Sequence, residues 1–326
     1  MARSLTIGVI GLGSIGECHL RNLQELYPNA LITVLTKRKS WSFAAKNTRL
    51  VQSEKVFFTL KHDVYIVTNE THKHAKTILR CLSTHPKGIF VEKPLSHSLA
   101  DLKKIKEQVQ KQKTVFVVGY NLQFFKPLLK LKQLLQQKVV GEVSYMRVSV
   151  GQDLRAWRKT DYRTSYSSDP KRGGGVVLDL IHDLNYPSWL LEDELQFIAG
   201  VSGHISHLDI ASEDVADGMF LSRGGVLVSV HQDYLQVPGK RSCEIVGEKG
   251  TIVWEWILSG PVRCSIEVRT RGKVQKRVLQ EKDKNAMYKD ELKSFMKHTA
   301  ATDAYTNIAS ALKDMHNATA LRSARL

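Results

Sequence analysis

The sequence predicts an α/β protein in two parts: a parallel sheet covered on both faces by helices, then an α/β domain built on an open, mostly antiparallel sheet. Three observations predict it. First, the apolar run at residues 5–10 leads directly into a glycine turn, G-L-G-S-I-G at 11–16, and then into a helical stretch at 17–26. Strand, glycine turn and helix in that order form a unit that binds a dinucleotide. Second, short β-rich runs recur through the first 120 residues. They fall at 34–36, 63–68 (D-V-Y-I-V-T), 88–91 (G-I-F-V) and 114–119 (T-V-F-V-V-G), with amphipathic stretches such as 74–82 and 99–110 between them. Continuous apolar runs alternating with helical periods make a parallel sheet buried on both sides. Third, the pattern changes near residue 120. Residues 124–137 read as a helix, 143–150 alternate like a half-exposed strand, and 214–280 are mostly strand and hairpin, punctuated by Gly224-Gly225, Gly247, Gly250 and Gly272; a closing helix covers 306–323. Alternation of this kind gives a sheet with one face buried and one available. The expected domains are therefore 1–120, which binds the nucleotide, and 121–326, which binds substrate and supports self-association.

Composition narrows the class. Hydrophobic residues make up 42% of the 326 and charged residues 25%, enough apolar surface for an ordinary core and no disordered signature. No apolar run is long enough to span a bilayer. The opening M-A-R-S leads straight towards the first strand without an apolar signal core, so the expected location is cytoplasmic. Cys18, Cys81, Cys243 and Cys264 have no C-x-x-C spacing, which favours reduced thiols over disulfides or zinc. The net charge of +16 invites an anionic partner. Its cations are scattered through 37–39, 103–106, 155–163 and 269–284 rather than gathered into one basic stripe interleaved with aromatics, so no nucleic-acid partner is expected.

Within the glycine turn, Gly11 permits the sharp turn, Gly13 lets backbone approach a pyrophosphate and Gly16 lets the helix pack on the strand. Free N–H groups from Ser14 and Ile15 onwards then face the phosphates at the positive end of the helix dipole. The second strand ends at Thr36-Lys37-Arg38, and no acid occurs from residue 26 to residue 53 to hold a ribose 2′-hydroxyl. A hydroxyl and two cations suit a 2′-phosphate, which favours NADP over NAD; the alternative is a solvated basic loop. The third run ends at Thr68, and Asn69 and the T-H-K-H segment follow, whose His74 is a cofactor-side candidate. The fourth run ends in V-E-K-P-L-S, placing Glu92 and Lys93 at the carboxyl end of a strand, where ligands of open α/β sheets sit. There a lysine can stabilise charge on a reacting oxygen.

The stretch G-G-G-V-V-L-D-L-I-H-D-L-N-Y-P at 173–187 reads as a helix with Val177, Leu180, Ile181 and Leu184 on its dry stripe, and Asp179, His182, Asp183 and Tyr186 opposite. Asp179 can orient His182 for proton exchange, or His182 can be a structural histidine. Three glycines before it let backbone crowd a ligand or a neighbouring loop. His72 with His74, and His204 with His207, lack a third ligand, so no metal is expected. Arg155, Arg158, Arg163, Lys171 and Arg172, interleaved with Trp157, Tyr162 and Tyr166, suit an anionic sugar, or form a solvated basic loop.

Taken together, the glycine turn, V-E-K-P-L-S and G-G-G-V-V-L-D-L-I-H resemble the Gfo/Idh/MocA (glucose-fructose oxidoreductase and inositol dehydrogenase) family over nearly the whole chain, with T-N-E-T-H-K-H-A standing at that family's nicotinamide-side loop. The segments V-G-Y-N-L-Q-F-F and G-Q-D-L-R-A-W-R-K-T-D-Y-R-T-S-Y-S resemble a subgroup associated with surface-polysaccharide or sialic-acid-type sugars. The resemblance implies a Rossmann domain joined to an open-sheet domain, and reversible hydride transfer between NAD(P) and a sugar ring carbon. It matches Lys93 to the catalytic lysine and Asp179 to the active-site aspartate. Most members carry the histidine four residues after that aspartate; here Asp183 holds the position and His182 precedes it, turning the side chain by about 100° on a helix. Asp183 and Tyr166 are thus alternatives to His182 as proton carrier. Tyr120, Arg155, Trp157, Arg163, Tyr166 and Asp183 form the expected substrate set. The family also implies a homodimer or homotetramer, with Trp254 and Trp256 expected on the open sheet face. Two rival readings remain: sugar elimination or glycoside cleavage with a recycled cofactor, and a catalytically silent nucleotide sensor.

Overall fold

The computed structural model describes residues 4–39, 41, 47–157, 161–281 and 283–326, so Arg158 lies outside the described residues. The chain divides into two compact units, Met1–Asn121 with Tyr288–Leu312, and Leu122–Met287 with Lys313–Leu326. The single division after residue 120 expected from the sequence omits the return of 288–312 to the first unit.

In the first unit, β1 (Thr6–Ile10), α1 (Ser14–Leu26), β2 (Leu31–Leu35), β3 (Thr48–Val51), α2 (Glu54–Thr59), β4 (Val64–Val67), α3 (His74–Leu82), β5 (Gly88–Glu92), α4 (Leu102–Gln112) and β6 (Val115–Gly119) follow in order. The sheet runs β3-β2-β1-β4-β5-β6, and its described pairs are parallel. Every residue of β4, β5 and β6 is buried, which is why these strands read as unbroken apolar runs. The strand order reverses between β1 and β4, the switch point at whose strand carboxyl ends open α/β sheets form their ligand crevice. Helix α9 (Ala286–Ala301) completes this unit's core by setting Leu292, Phe295 and Met296 against Ile7, Val9, Val64 and Phe90. Gly88 makes that packing possible, since a Cβ there would lie 2.7 Å from Thr299 Oγ1 and 2.9 Å from the Phe295 ring. Asn307 then caps the outer edge of β6, its side chain accepting from Val118 N at 2.8 Å and donating to Val118 O at 2.9 Å.

The second unit holds α5 (Lys126–Gln136), β7 (Val143–Gly151), α6 (Leu154–Trp157), α7 (Val176–Asp179), α8 (His182–Leu191) and seven further strands, β8 (Leu195–Gly203), β9 (Val215–Ser222), β10 (Leu227–Asp233), β11 (Lys240–Gly247), β12 (Gly250–Ile257), β13 (Val262–Thr270) and β14 (Lys273–Glu281). The sheet order is β14-β13-β12-β11-β7-β10-β9-β8, with β7 parallel to β10 and the other described pairs antiparallel. Helix α10 (Ile308–Ser323) begins in the first unit and ends in the second.

One face of this sheet is dry and carries Val148, Val230, Cys243, Ile252, Trp254 and Ile266. Trp254 and Trp256 belong to it, not to the open face as expected. Trp254 is fully buried, edge-on to Tyr186 of α8 at 5.9 Å, and Phe125 at the start of α5 lies 4.8 Å from Trp256. Helices cover these rings, so Trp254 is core and Trp256 is half-buried at its margin. The opposite face presents Met219, Leu221 and Val278, each at least 42% exposed, among charged neighbours. His231 on that face, bonded to Asp217 and Asp233, is pushed up to about 10 because both carboxylates favour its charged ring.

Candidate functional site

The glycine turn, the expected nucleotide end of the site, lies in the first unit. Gly11 has φ +99°, and a Cβ on it would come within 2.7 Å of the Asn69 backbone, so only glycine fits where the loop after β1 packs against the loop after β4. Gly16 is equally constrained, with Gly11 O only 2.4 Å from a notional Cβ. Thr68 locks the same corner by donating its hydroxyl to Gly11 O at 3.0 Å. Gly13 instead faces open space, and no side chain caps α1, so the N–H groups of its first turn, Ser14 and Ile15 included, are available to a pyrophosphate.

At the end of β2, Thr36 Oγ1 accepts the Arg38 backbone N–H at 3.2 Å, and Lys37 is exposed. The Arg38 guanidinium pairs with Glu17 in the first turn of α1, which tethers this cation beside the phosphate turn. Both side chains keep contact with solvent, so the pair is weak enough to open for a stronger anion. Asn69 donates its side chain to Thr77 Oγ1 at 2.9 Å. His74 departs from its expected part. It is buried, with Nδ1 2.9 Å from Pro94 O and Nε2 3.0 Å from Asn69 O, so both ring nitrogens face protein carbonyls rather than a nucleotide. Burial lowers its pKa, and the neutral ring donates to one of these carbonyls at a time. Glu92 Oε1 lies 2.5 Å from His19 Nε2, and Glu92 Oε2 accepts the Lys93 backbone N–H at 3.2 Å. Lys93 follows directly at the carboxyl end of β5, and Tyr120 is buried just beyond β6.

The second unit carries the other predicted group. The expected single helix over 176–187 is two, because Leu180 at φ −103°, ψ 26° interrupts it after Asp179 and α8 restarts at His182. All four residues assigned to its polar face are buried, so that face looks into protein. Asp179, 2% exposed, accepts hydroxyl bonds from Tyr166 at 2.5 Å, Ser167 at 2.5 Å and Tyr234 at 2.7 Å. Three hydroxyls thus fix the two oxygens of a buried carboxylate, and neither Ser167, at the end of the segment 151–167, nor Tyr234 was among the expected site residues. The glycines allow it: a Cβ on Gly174 would lie 2.2 Å from Tyr166 O, and one on Gly175 would lie 2.1 Å from Glu213 Oε1. Of the two possibilities, crowding by a neighbouring loop is what these glycines accommodate.

Asp183 is not the accessible ligand expected. It is fully buried and receives Arg241 Nε at 3.0 Å on Oδ1 and Nη2 at 3.0 Å on Oδ2, a structural ion pair across α8 and β11. Arg155 and Arg163 are exposed, and each is bonded to the aspartate two residues before it, Asp153 and Asp161. The segment is therefore less cationic than its arginine count implies. Trp157 lies 6.2 Å from the Tyr234 ring, close to the Asp179 network. No group of three or more potential metal ligands occurs among the described residues, and no described helix is long and apolar enough to cross a membrane.

Residues 5–120 match the family model described as an oxidoreductase family with an NAD-binding Rossmann fold, and residues 128–253 match the GFO/IDH/MocA C-terminal domain. A myo-inositol 2-dehydrogenase from Thermotoga maritima is 25% identical over 305 residues, covering 90% of this chain and 88% of that protein. A 2,7-anhydro-N-acetylneuraminate hydratase from Mediterraneibacter gnavus is 22% identical over 221 residues, 67% of this chain and 58% of that protein. Among solved structures, a 3-ketoreductase from Actinomadura kijaniata, in complex with NADP and TDP-benzene, superposes with a TM-score of 0.82 at 16% identity, covering 99% of this chain and 98% of that one. The paired domains, the glycine turn and the two family matches together establish that this chain belongs to the GFO/IDH/MocA family of NAD(P)-dependent oxidoreductases.

Proposed function

We propose that the protein transfers hydride between NADP and a ring carbon of an anionic sugar, either a sugar acid of the sialic type or a nucleotide-linked sugar. Lys93 stabilises charge on the reacting oxygen, His182 exchanges the hydroxyl proton, and Asp179 keeps the proton site in register. The observation that carries this reading is the Asp179 network: a buried carboxylate fixed by three hydroxyls, three residues before a histidine, is an expensive arrangement for a segment that needs only to pack. The Asp183–Arg241 pair favours His182 over Asp183 in this reading, because both carboxylate oxygens are held by a guanidinium inside the unit.

Preference for NADP rests on Thr36 and Arg38 at the end of β2, where an acid would repel a 2′-phosphate. The Trp157 and Tyr166 rings beside the Asp179 network supply stacking surface for a pyranose, while Arg155 and Arg163 supply exchangeable positive charge. Cytoplasmic location, and self-association through the uncovered sheet face around Met219 and Leu221, complete the reading.

The test is a turnover screen with NADP and NAD over neutral hexoses, inositols, sugar acids and nucleotide sugars at two salt concentrations. An anionic substrate should be preferred, with KM rising between low and moderate salt as the attraction is screened. Efficient turnover of a neutral sugar, indifferent both to salt and to Arg163→Ala, would overturn the substrate assignment. The hydratase among the relatives favours one second reading, in which oxidation is transient. Product formed without net change in NADPH absorbance would identify it.

A further inference from the structure

The residues on either side of Lys93 are each fastened by a buried histidine from a different element. Before it, Glu92 spans two partners, with Oε1 on His19 Nε2 at 2.5 Å and Oε2 on the Lys93 N–H at 3.2 Å. His19 lies in α1, three residues beyond the last glycine of the phosphate turn, and is fully buried. Its ring stands edge-on to Phe90 at 5.1 Å and to Tyr288 at 5.9 Å, which fixes its plane. After it, the Pro94 carbonyl faces His74 Nδ1 at 2.9 Å, and the other nitrogen of that ring faces Asn69 O at 3.0 Å. His74 opens α3 and is 1% exposed.

An apolar side chain would fill either position without the cost of about 1–3 kcal/mol that attends burying a polar group imperfectly paired. Both imidazoles are spent on the strand end that carries one lysine. We propose that His19 and His74 are positioning residues that act through Glu92 and Pro94 to hold the Lys93 backbone, tying placement of its amine to α1 and to the loop after β4. Those two elements form the crevice where the nucleotide sits, so occupancy of the glycine turn and presentation of the lysine are mechanically linked. The inference rests on the reading of Lys93 as the group beside the nicotinamide.

The test is competitive acetylation of lysines at fixed pH in the full-length protein, with and without NADPH. The peptide carrying Lys93 is read by mass spectrometry against the one carrying exposed Lys61. His19→Leu and His74→Leu should each label Lys93 faster by at least about threefold, because local opening of the strand end is no longer resisted, while Lys61 stays unchanged. His19→Gln, whose amide reaches the place of Nε2, should return the wild-type rate. Wild-type labelling of Lys93 in both folded leucine variants would overturn the proposal. If those variants fail to fold by circular dichroism, His19→Gln and His19→Asn decide, since the shorter amide falls short of Glu92. A slow Gln variant with a fast Asn variant supports the clamp, and equal rates overturn it. Full hydride transfer by Lys93→Met would remove the catalytic reading of the lysine while leaving the labelling result to stand or fall separately.

Discussion

Glu291 of α9 is a fully buried acid whose two side-chain oxygens lack a hydrogen-bond partner. Burial raises its pKa well above the usual carboxylate range, and the Glu92 carboxylate adds to the shift, so the folded protein holds it protonated where the unfolded chain ionises it. Its contribution to stability is therefore present below the ordinary value of 4.5 and is lost as pH rises from there towards the raised value. Glu291→Met should raise the melting temperature at pH 7.5 by more than it does at pH 4.5, and an equal or reversed gain would contradict the protonated state. The Asp183–Arg241 pair behaves oppositely, since Arg241→Met strands a buried charge and should cost about 3–5 kcal/mol in urea unfolding. Loss below about 1 kcal/mol would mean the pair is not structural. Lys93, Asp179 and the glycines were legible because their spacing against predicted elements is itself the signal. His19, Ser167, Tyr234 and Arg241 were not, because each meets a partner 12 to 73 residues away in the chain, and nothing in the one-dimensional pattern records that meeting.

At the scale of elements, the turn from β1 into α1 is the most constrained piece of backbone in the first unit. Gly16→Ala sets a Cβ against Gly11 O, which is backbone and cannot swing away, so the helix must shift off the strand. NADPH affinity should fall by about tenfold or more, near 1.4 kcal/mol, in a calorimetric titration. Unchanged affinity would show that the turn does not shape the phosphate site. Long periodic elements such as α1, α3 and α5 were readable within a few residues of their ends. β3 was missed because four residues cannot establish a period, and α9 because a basic segment runs into it without a glycine or proline boundary. The break at Leu180 was missed for a different reason. Residues 176–187 have good helical spacing, and tertiary bonds at Asp179 override it.

For the whole molecule, the return of 288–312 to the first unit has a consequence for folding. A fragment ending at residue 121 lacks Leu292, Phe295 and Met296, and core losses of this kind cost about 2–5 kcal/mol each against a total stability of 5–15 kcal/mol. That fragment should show no cooperative thermal transition by circular dichroism, whereas a sharp transition near that of the full chain would contradict the shared core. The sequence made the two sheets legible, but composition alone does not report which sheet a late helix joins.

The central claim is that hydride moves beside Lys93. The direct measurement is NADPH affinity and the rate of hydride transfer, taken in parallel for the wild-type protein and Lys93→Met with an anionic sugar found in the screen. Loss of a preorganised charge predicts a dissociation constant within about threefold of wild type and a rate lower by about two to four orders of magnitude. A Lys93→Met protein that binds NADPH and transfers hydride at the wild-type rate would contradict the account.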